Sequence, residues 1–242
     1  MKRTRLALVS LFAVAALALV ADPVAAQSST TSGLINELNN ELLIVAVPIT
    51  LLTEGVLIYT VWKYRNNDDP QPTKENRRLE ISWTIATAIV LLFVGVASYG
   101  VMADSDVTFQ QGKDQIAPNE NDVVVNAEAF QWGWTMTYPE EDGVQAPRVG
   151  NGPQIVVPVG QDVYFNITSR DVLHGFAVPE LGLKQDAVPG QSNVIKTQAT
   201  ETGTYQGYCT EYCGVSHSQM YFSVKVVPQE EYEQFLEEQK SE

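Results

Sequence analysis

Two long apolar segments joined by a short charged loop constrain the fold of this chain more than any other feature. They comprise residues 42–64 and 85–103, and each is long enough to cross the hydrocarbon core of a bilayer as a helix. The basic residues near the segment ends lie in or next to that loop: Lys63, Arg65, Lys74, Arg77 and Arg78. Because basic residues favour the cytoplasmic side, the sequence predicts a hairpin of two transmembrane helices, at about 42–64 and 82–103, with both outer ends outside the cytoplasm.

The N-terminus has the pattern of a secretory signal. Basic residues at positions 2, 3 and 5 precede an apolar run, and small residues at 24–26 follow it. We expect cleavage after residue 26; an uncleaved anchor is the alternative, and both interpretations place the remainder outside the cytoplasm. The predicted organisation is a signal peptide at 1–26, a membrane hairpin at 27–104 and an extracytoplasmic domain at 105–242, in a multi-pass protein of the cell membrane.

From about Asp106 the pattern changes to short segments that are rich in β-branched and aromatic residues and separated by Gly, Pro and Asn. The predicted strands are 122–127, 130–138, 154–158, 162–168, 175–178, 192–198, 203–208 and 220–227. Many short strands at this spacing are typical of an all-β Greek-key sandwich. Pro228 and the acids after it predict a short C-terminal helix.

The charge is unevenly distributed along the chain. The formal net charge is −14, and the whole excess lies in residues 104–242. So acidic a surface repels nucleic acid. Such a surface either attracts a basic protein partner or keeps the protein solvated in concentrated salt, and the sequence leaves both interpretations open.

The residue types that carry chemistry cluster near the C-terminus. Cys209, Cys213, His217 and Met220 fall within twelve residues, and the other histidine of the chain, His174, lies 35 residues before Cys209. Sulfur and imidazole ligands together select copper or zinc. A zinc site of two Cys and two His is not excluded by ligand count, but a thioether favours a copper electron-transfer site. A disulfide between the two cysteines is the remaining alternative.

The spacing Cys-x-Glu-x-Cys-x-x-x-His-x-x-Met at 209–220, with Asp-Val-x-His at 171–174, resembles subunit II of the haem–copper cytochrome c oxidases. Further matching segments lie at 79–84, 129–132 and 182–190. The resemblance implies a cupredoxin domain with a dinuclear copper A centre. Two thiolates would bridge the coppers, each imidazole would bind one copper, and a thioether and a backbone carbonyl would be weak ligands. The implied ligands are His174, Cys209, Glu211 through its carbonyl, Cys213, His217 and Met220.

The same resemblance implies further roles and partners. Trp132 corresponds to the residue where electrons enter, and Glu80 to the mouth of a proton channel in subunit I. The Glu211 carboxylate would reach a magnesium or manganese ion at the boundary with subunit I. The expected partners are subunit I, which holds the haems and the oxygen chemistry, other oxidase subunits, membrane lipid, and a cytochrome c or small blue-copper donor. The complex as a whole would couple oxygen reduction to proton pumping.

Three other functions compete with this one. Quinol oxidase subunits of the same fold lack the copper ligands that this chain has. Nitrous oxide reductase shares the copper motif, but it needs a large additional domain for which this chain is too short. A membrane-anchored copper-storage or assembly protein differs in class, and the spectrum of a mixed-valent copper pair would separate it from an oxidase subunit.

Overall fold

The computed structural model describes residues 28–72, 74–108 and 122–241, so the expected signal peptide lies outside the described residues. Within them, two long helices precede a β domain and a C-terminal helix. The helices are α1 (Thr30–Tyr64), α2 (Arg77–Met102) and α3 (Gln229–Ser241). The strands are β1 (Val123–Phe130), β2 (Gly133–Tyr138), β3 (Val144–Gln145), β4 (Arg148–Val149), β5 (Gly152–Pro158), β6 (Asp162–Ser169), β7 (His174–Val178), β8 (Leu183–Ala187), β9 (Asn193–Gln198), β10 (Gly203–Cys209) and β11 (Tyr221–Val227).

The two long helices have the properties of membrane spans. Each contains a stretch with a mean hydropathy of 2.2, and the side chains of both stretches are exposed rather than packed in a protein core. Their starts are fixed by side-chain caps, since Ser29 forms a capping box with Ser32, and Asn76 accepts a hydrogen bond from the Leu79 amide at 3.2 Å. Both helices therefore begin before the spans expected from hydropathy, and α1 extends beyond the apolar segment toward the β domain.

The β domain is a sandwich of two sheets, as the strand pattern predicts. One sheet has the order β3-β2-β1-β6-β9, and the other has the order β4-β5-β11-β10-β7-β8. Side chains alternate between buried and partly exposed along β1 and β6, which is the pattern of strands with one face on a core. Parallel pairing of β1 with β6 and of β5 with β11 shows that the chain crosses between neighbouring strands instead of forming hairpins alone.

Two features of the sandwich differ from the sequence prediction. The strand expected at 130–138 begins only at Gly133, because Gln131 and Trp132 form the turn between β1 and β2. Three strands are absent from the prediction: the two-residue strands β3 and β4, and the edge strand β8, whose three central residues are polar and whose two ends, Leu183 and Ala187, are buried. In both places backbone pairing decides the structure and hydrophobic alternation does not.

A cluster of buried hydroxyl side chains joins the start of α1 to the β domain. Ser28, Ser29, Thr31 and Ser32 are all buried. Ser29 forms a β-bridge with Ala199, just after β9, and its hydroxyl donates to the Leu181 carbonyl at 2.8 Å. The chain before the first membrane helix thus adds to the β domain like a short edge strand.

The segment that leaves α2 meets the same region. The Thr31 hydroxyl donates to the Asp106 carbonyl at 2.8 Å, so the Thr197 hydroxyl, 2.9 Å away, is the donor to Thr31. The Lys196 ammonium lies 3.2 Å from the Asp106 carboxylate and 2.9 Å from that of Asp162. Burial alone would lower the pKa of Lys196, but these two carboxylates raise the pKa above its ordinary value. We call residues 28–32, Asp106 and residues 196–197 the junction.

The hydroxyl contacts of Thr31 should contribute measurably to stability. Thr31→Val keeps the shape of the side chain but leaves the Asp106 carbonyl and the Thr197 hydroxyl without this partner. We expect the free energy of unfolding of the full chain in detergent to fall by about 1–3 kcal/mol. Thr204→Val, at an exposed position of β10, is the matched control and should change it little. Equal midpoints for both variants in denaturant titrations would contradict the assigned role of the junction.

Candidate metal centre

Strand pairing brings the upstream histidine next to the first cysteine. β7 and β10 are antiparallel neighbours, with Cys209 opposite Phe176. His174 lies two residues from Phe176 and therefore points to the same face of the sheet. The His174 and Phe176 side chains are fully buried, and the Trp134 ring packs against them. The Trp134 ring centroid lies 5.8 Å from that of Phe176 and 6.4 Å from that of His174. Contact with the Trp134 ring thus helps to hold the imidazole in place.

The remaining sulfur and imidazole groups come from the loop between β10 and β11. The Cys209 and Cys213 sulfurs are 3.9 Å apart, and the Cys209 sulfur is 3.8 Å from His174 Nδ1. The Cys213 sulfur lies 3.6 Å from His217 Nδ1 and 3.2 Å from the Met220 sulfur. The Glu211 carbonyl lies 3.3 Å from the Cys209 sulfur. All six groups expected from the sequence are therefore brought together.

The donor set has two ends. His174, Cys209 and Cys213 form a compact group whose ligand atoms lie within 4.8 Å of one another. His217 is not in that group, yet it lies beside Cys213. Each thiol thus has its own imidazole, an arrangement suited to a pair of ions that share the sulfurs. The two cysteines, His174 and Met220 are buried, whereas His217 is partly exposed.

The two thiols do not form a disulfide in this structure. Their separation of 3.9 Å is far longer than an S–S bond of about 2.05 Å, and both cysteines are free. Burial raises the pKa of the Cys213 thiol above its ordinary value, and the neighbouring Cys209 sulfur adds to the effect. A metal must therefore displace a proton from Cys213, because thiolates and not thiols are the ligands.

Asp171 orients the imidazole of His174. One carboxylate oxygen lies 2.9 Å from His174 Nε2, so this nitrogen carries the proton and Nδ1 faces the Cys209 sulfur with a free lone pair. The other carboxylate oxygen accepts from the Gln131 amide at 2.7 Å. Partial burial would raise the pKa of Asp171, but the hydrogen bonds from His174, Gln131 and Val172 hold the pKa below its ordinary value. The carboxylate is thus kept ionised.

Gly175 allows the loop between β10 and β11 (residues 210–220), which we call the metal loop, to lie against β7. A Cβ atom at position 175 would come within 2.2 Å of the Thr210 hydroxyl and 3.1 Å of the Glu211 amide nitrogen. The backbone of β7 and the start of the loop are in contact there, directly beside His174. Any side chain at Gly175 would push Glu211 and its carbonyl away from the sulfurs.

The two other predicted site residues lie in different places. Trp132 is 42% exposed, and its indole N–H donates to the Cys213 carbonyl at 3.2 Å, so it borders the donor set. Glu80 lies in the first turn of α2, at the end of that helix that is remote from the β domain, and is not part of this cluster. No role for Asp171, Gln131 or Gly175 was expected from the sequence. Asp171 and Gln131 lie in the matching segments at 171–174 and 129–132, which marks their positions but not their contacts.

Comparison with known proteins agrees with this geometry. The profile described as Cytochrome C oxidase subunit II, periplasmic domain, matches residues 145–227, and the profile of the transmembrane domain of the same subunit matches residues 22–101. Cytochrome c oxidase subunit 2 of Cereibacter sphaeroides is 31% identical over 252 residues, which covers 90% of this chain and 78% of that protein. The chain belongs to the cytochrome c oxidase subunit II family.

Other similar proteins have the same description. A probable cytochrome c oxidase subunit 2 of Rickettsia bellii is 29% identical over 219 residues, covering 84% of this chain and 78% of that protein. The periplasmic domain of cytochrome oxidase subunit II of Bradyrhizobium japonicum is 31% identical, with a TM-score of 0.47, over 51% of this chain and 96% of that chain. Family membership confirms the predicted membrane hairpin and the extracytoplasmic position of the β domain, and it implies a copper centre.

Met220 and the cysteines should differ in what they contribute to the copper centre. Met220→Leu nearly conserves volume, so its packing cost should stay below about 1.5 kcal/mol. We expect the copper-loaded chain to keep its metal but to show altered optical bands and a shifted reduction potential. Cys209→Ser should instead destroy the spectrum expected of a mixed-valent copper pair, because it removes one of the two thiolates. Unchanged bands and potential in Met220→Leu would show that this thioether is only a core residue.

Proposed function

We propose that the chain is the subunit through which electrons enter a respiratory cytochrome c oxidase. It accepts single electrons from a soluble or anchored donor and delivers them to the haem of subunit I, where oxygen is reduced and protons are pumped. The observation that carries this proposal is the two-ended donor set, in which Cys209 and Cys213 are 3.9 Å apart and each lies beside its own imidazole.

The proposed centre is a dinuclear copper site. Its ligands are His174, Cys209, the carbonyl of Glu211, Cys213, His217 and Met220. Bound copper would supply the one-electron chemistry. The protein contributes a preformed site, because His174 is held by β7 and Asp171 while Cys209 ends β10. Donors fixed by strands change position little when the charge of the site changes, and small geometric change favours rapid electron transfer.

Trp132 is proposed as the residue by way of which electrons enter the site from the donor. Its indole combines 42% exposure with a hydrogen bond to the Cys213 carbonyl. From the ring, the path to the Cys213 sulfur consists of one hydrogen bond followed by the covalent bonds of a single residue. Tyr212 and Val215, which flank Cys213 and Gly214 in the sequence, are apolar residues that are 81% and 85% exposed. A donor with an apolar contact patch fits this surface.

The charge of the chain narrows the choice of donor only in part. Its acidic excess suits a basic cytochrome c at low ionic strength. At molar salt the Debye length is only about 3 Å, so steering by charge would be lost and apolar contact would dominate. A small blue-copper protein is the second donor class that meets the apolar requirement.

Two carboxylates are assigned to the boundary with subunit I. Glu211 is partly exposed, and its carboxylate lies 4.0 Å from the Lys184 ammonium. We assign this carboxylate to a magnesium or manganese site completed by subunit I, since carboxylate oxygen suits either ion. Glu80 begins α2 on the cytoplasmic side, where it can take protons from water and pass them into subunit I.

Removal of the Trp132 ring tests the proposed function directly. Trp132→Ala should slow donor oxidation by the assembled oxidase by about tenfold or more, equivalent to roughly 1.4 kcal/mol of barrier. The copper spectrum and the unfolding midpoint should change little, because the ring is partly exposed. Tyr212→Ala is the matched control: it removes an exposed ring from the loop between β10 and β11, next to Cys213, and should raise KM more than it lowers kcat. A loss of rate fully explained by unfolding would make Trp132 a structural residue.

The role of Glu80 can be separated from the copper centre. Glu80→Gln keeps the size of the side chain but cannot carry a proton as an acid. We expect slower turnover of the assembled oxidase under conditions that limit proton uptake, with the copper spectrum intact. Glu75→Gln, in the exposed loop before α2, should leave turnover unchanged. Equal turnover of both variants would remove Glu80 from the proton path.

A further inference from the structure

The Cys213 carbonyl is held by two side chains from the opposite sheet. Gln131 Nε2 donates to it at 2.7 Å and Trp132 Nε1 donates at 3.2 Å. Both donors lie in the turn between β1 and β2, which belong to the five-stranded sheet, whereas Cys213 follows β10 of the six-stranded sheet. The loop between β10 and β11 is thus hydrogen-bonded to the opposite sheet through the backbone carbonyl of Cys213.

Gln131 is also joined to the other end of the donor set. Its backbone N–H donates to Asp171 at 2.7 Å, and the second oxygen of that carboxylate lies 2.9 Å from His174 Nε2. One residue therefore contacts both halves of the site: its side chain reaches Cys213, and its backbone reaches the partner of His174. Among the described residues, this is the hydrogen-bonded route that joins His174 to Cys213 without passing through a ligand atom.

The loop is shaped to accept this contact. Gly214 has a φ of 125°, and a Cβ atom there would lie 3.0 Å from Trp132 Nε1 and 3.3 Å from Gln131 Nε2. Its backbone conformation is one that other residues rarely adopt. The absence of a side chain at Gly214 lets the loop approach close enough for both hydrogen bonds to form.

We propose that Gln131 is a positioning residue of the metal centre, which holds the Cys213 thiol in register with the Asp171–His174 pair before any metal binds. The inference rests on the proposed metal site, but it concerns the protein without metal. Fixing the carbonyl of Cys213 restricts the backbone of that residue, and so the point from which its sulfur projects. Residues that orient metal ligands in this way typically change metal affinity by about 10- to 100-fold when they are replaced.

Gln131 is suited to a clean substitution because its side chain is exposed at the surface. Gln131→Met keeps the length of the side chain and removes the amide donor, and no cavity or buried unpaired group is created. Gln145→Met, at an exposed position of β3, is the matched control. Both variants should fold as full chains in detergent, and circular dichroism checks this. If Gln131→Met fails to fold, Gln131→Asn, which keeps the amide but shortens its reach, provides the same readouts.

The first readout is amide hydrogen exchange in the reduced, metal-free chain, with peptides that cover residues 210–216. We expect about tenfold faster exchange of these residues in Gln131→Met and no change in the control. The second readout is copper binding, for which the affinity should fall by about tenfold. The copper hyperfine pattern in the electron paramagnetic resonance spectrum of the loaded protein should also change. Faster exchange together with unaltered copper spectra would support the role of Gln131 in holding residues 210–216 in the metal-free chain. The same result would count against the proposed ligand set.

Two results would overturn the inference. If exchange over 210–216 and copper affinity both match the control, Gln131 does not position the loop. If only the KM for the electron donor rises, Gln131 is a contact residue for the donor. A double variant with Asp171→Ala adds a further check, because residues of one network are non-additive. Exchange in the double variant should therefore accelerate by less than the product of the two single effects, and a full product would contradict the coupling.

Discussion

The pairing of β7 with β10 is the constraint on which the rest of the site depends. It sets Cys209 opposite Phe176 and so places His174, two residues away on the same face, 3.8 Å from the first sulfur. A shift of one residue in this register would turn His174 outward and separate the imidazole from both thiols. The loop after β10 can then deliver its remaining ligands only because the first pair is already fixed by backbone hydrogen bonds and by the Trp134 ring beneath it.

The junction extends this fixed geometry to the membrane. Both chain segments that connect the helices to the β domain are tied to β9, one through Thr31 and the other through Asp106, which pairs with Lys196. These contacts bond the β domain to the start of α1 and to the segment that follows α2. Since electron transfer falls steeply with distance, a domain tethered by a single flexible linker would sample unproductive positions.

Much of this molecule follows from its sequence because the responsible forces are local. Apolar length and the position of basic residues determine the hairpin, and the alternating burial along β1 and β6 reflects the pattern of short β-branched segments. The family resemblance carried by the motifs at 171–174 and 209–220 implied the six groups that the fold brings together. The buried hydroxyls at 28–32 were not predictable, since polar residues before a membrane helix give no sign that a distant strand will cover them. Gln131 likewise has no local signal: its partners, Cys213 and Asp171, lie 82 and 40 residues away.

The distance between the two proposed entry points suits two kinds of transfer. In the proposed function, electrons would enter beside Trp132, which is hydrogen-bonded to the Cys213 carbonyl, while Glu80, in the first turn of α2, would take up protons. Rigidity benefits the first process, because donors that hardly move need little reorganisation, and it is supplied by strands. The second needs a carboxylate open to water at the start of a helix, where the helix dipole favours its negative charge. The length of α2 separates these two environments, and the junction attaches the β domain at the end of the hairpin opposite Glu80.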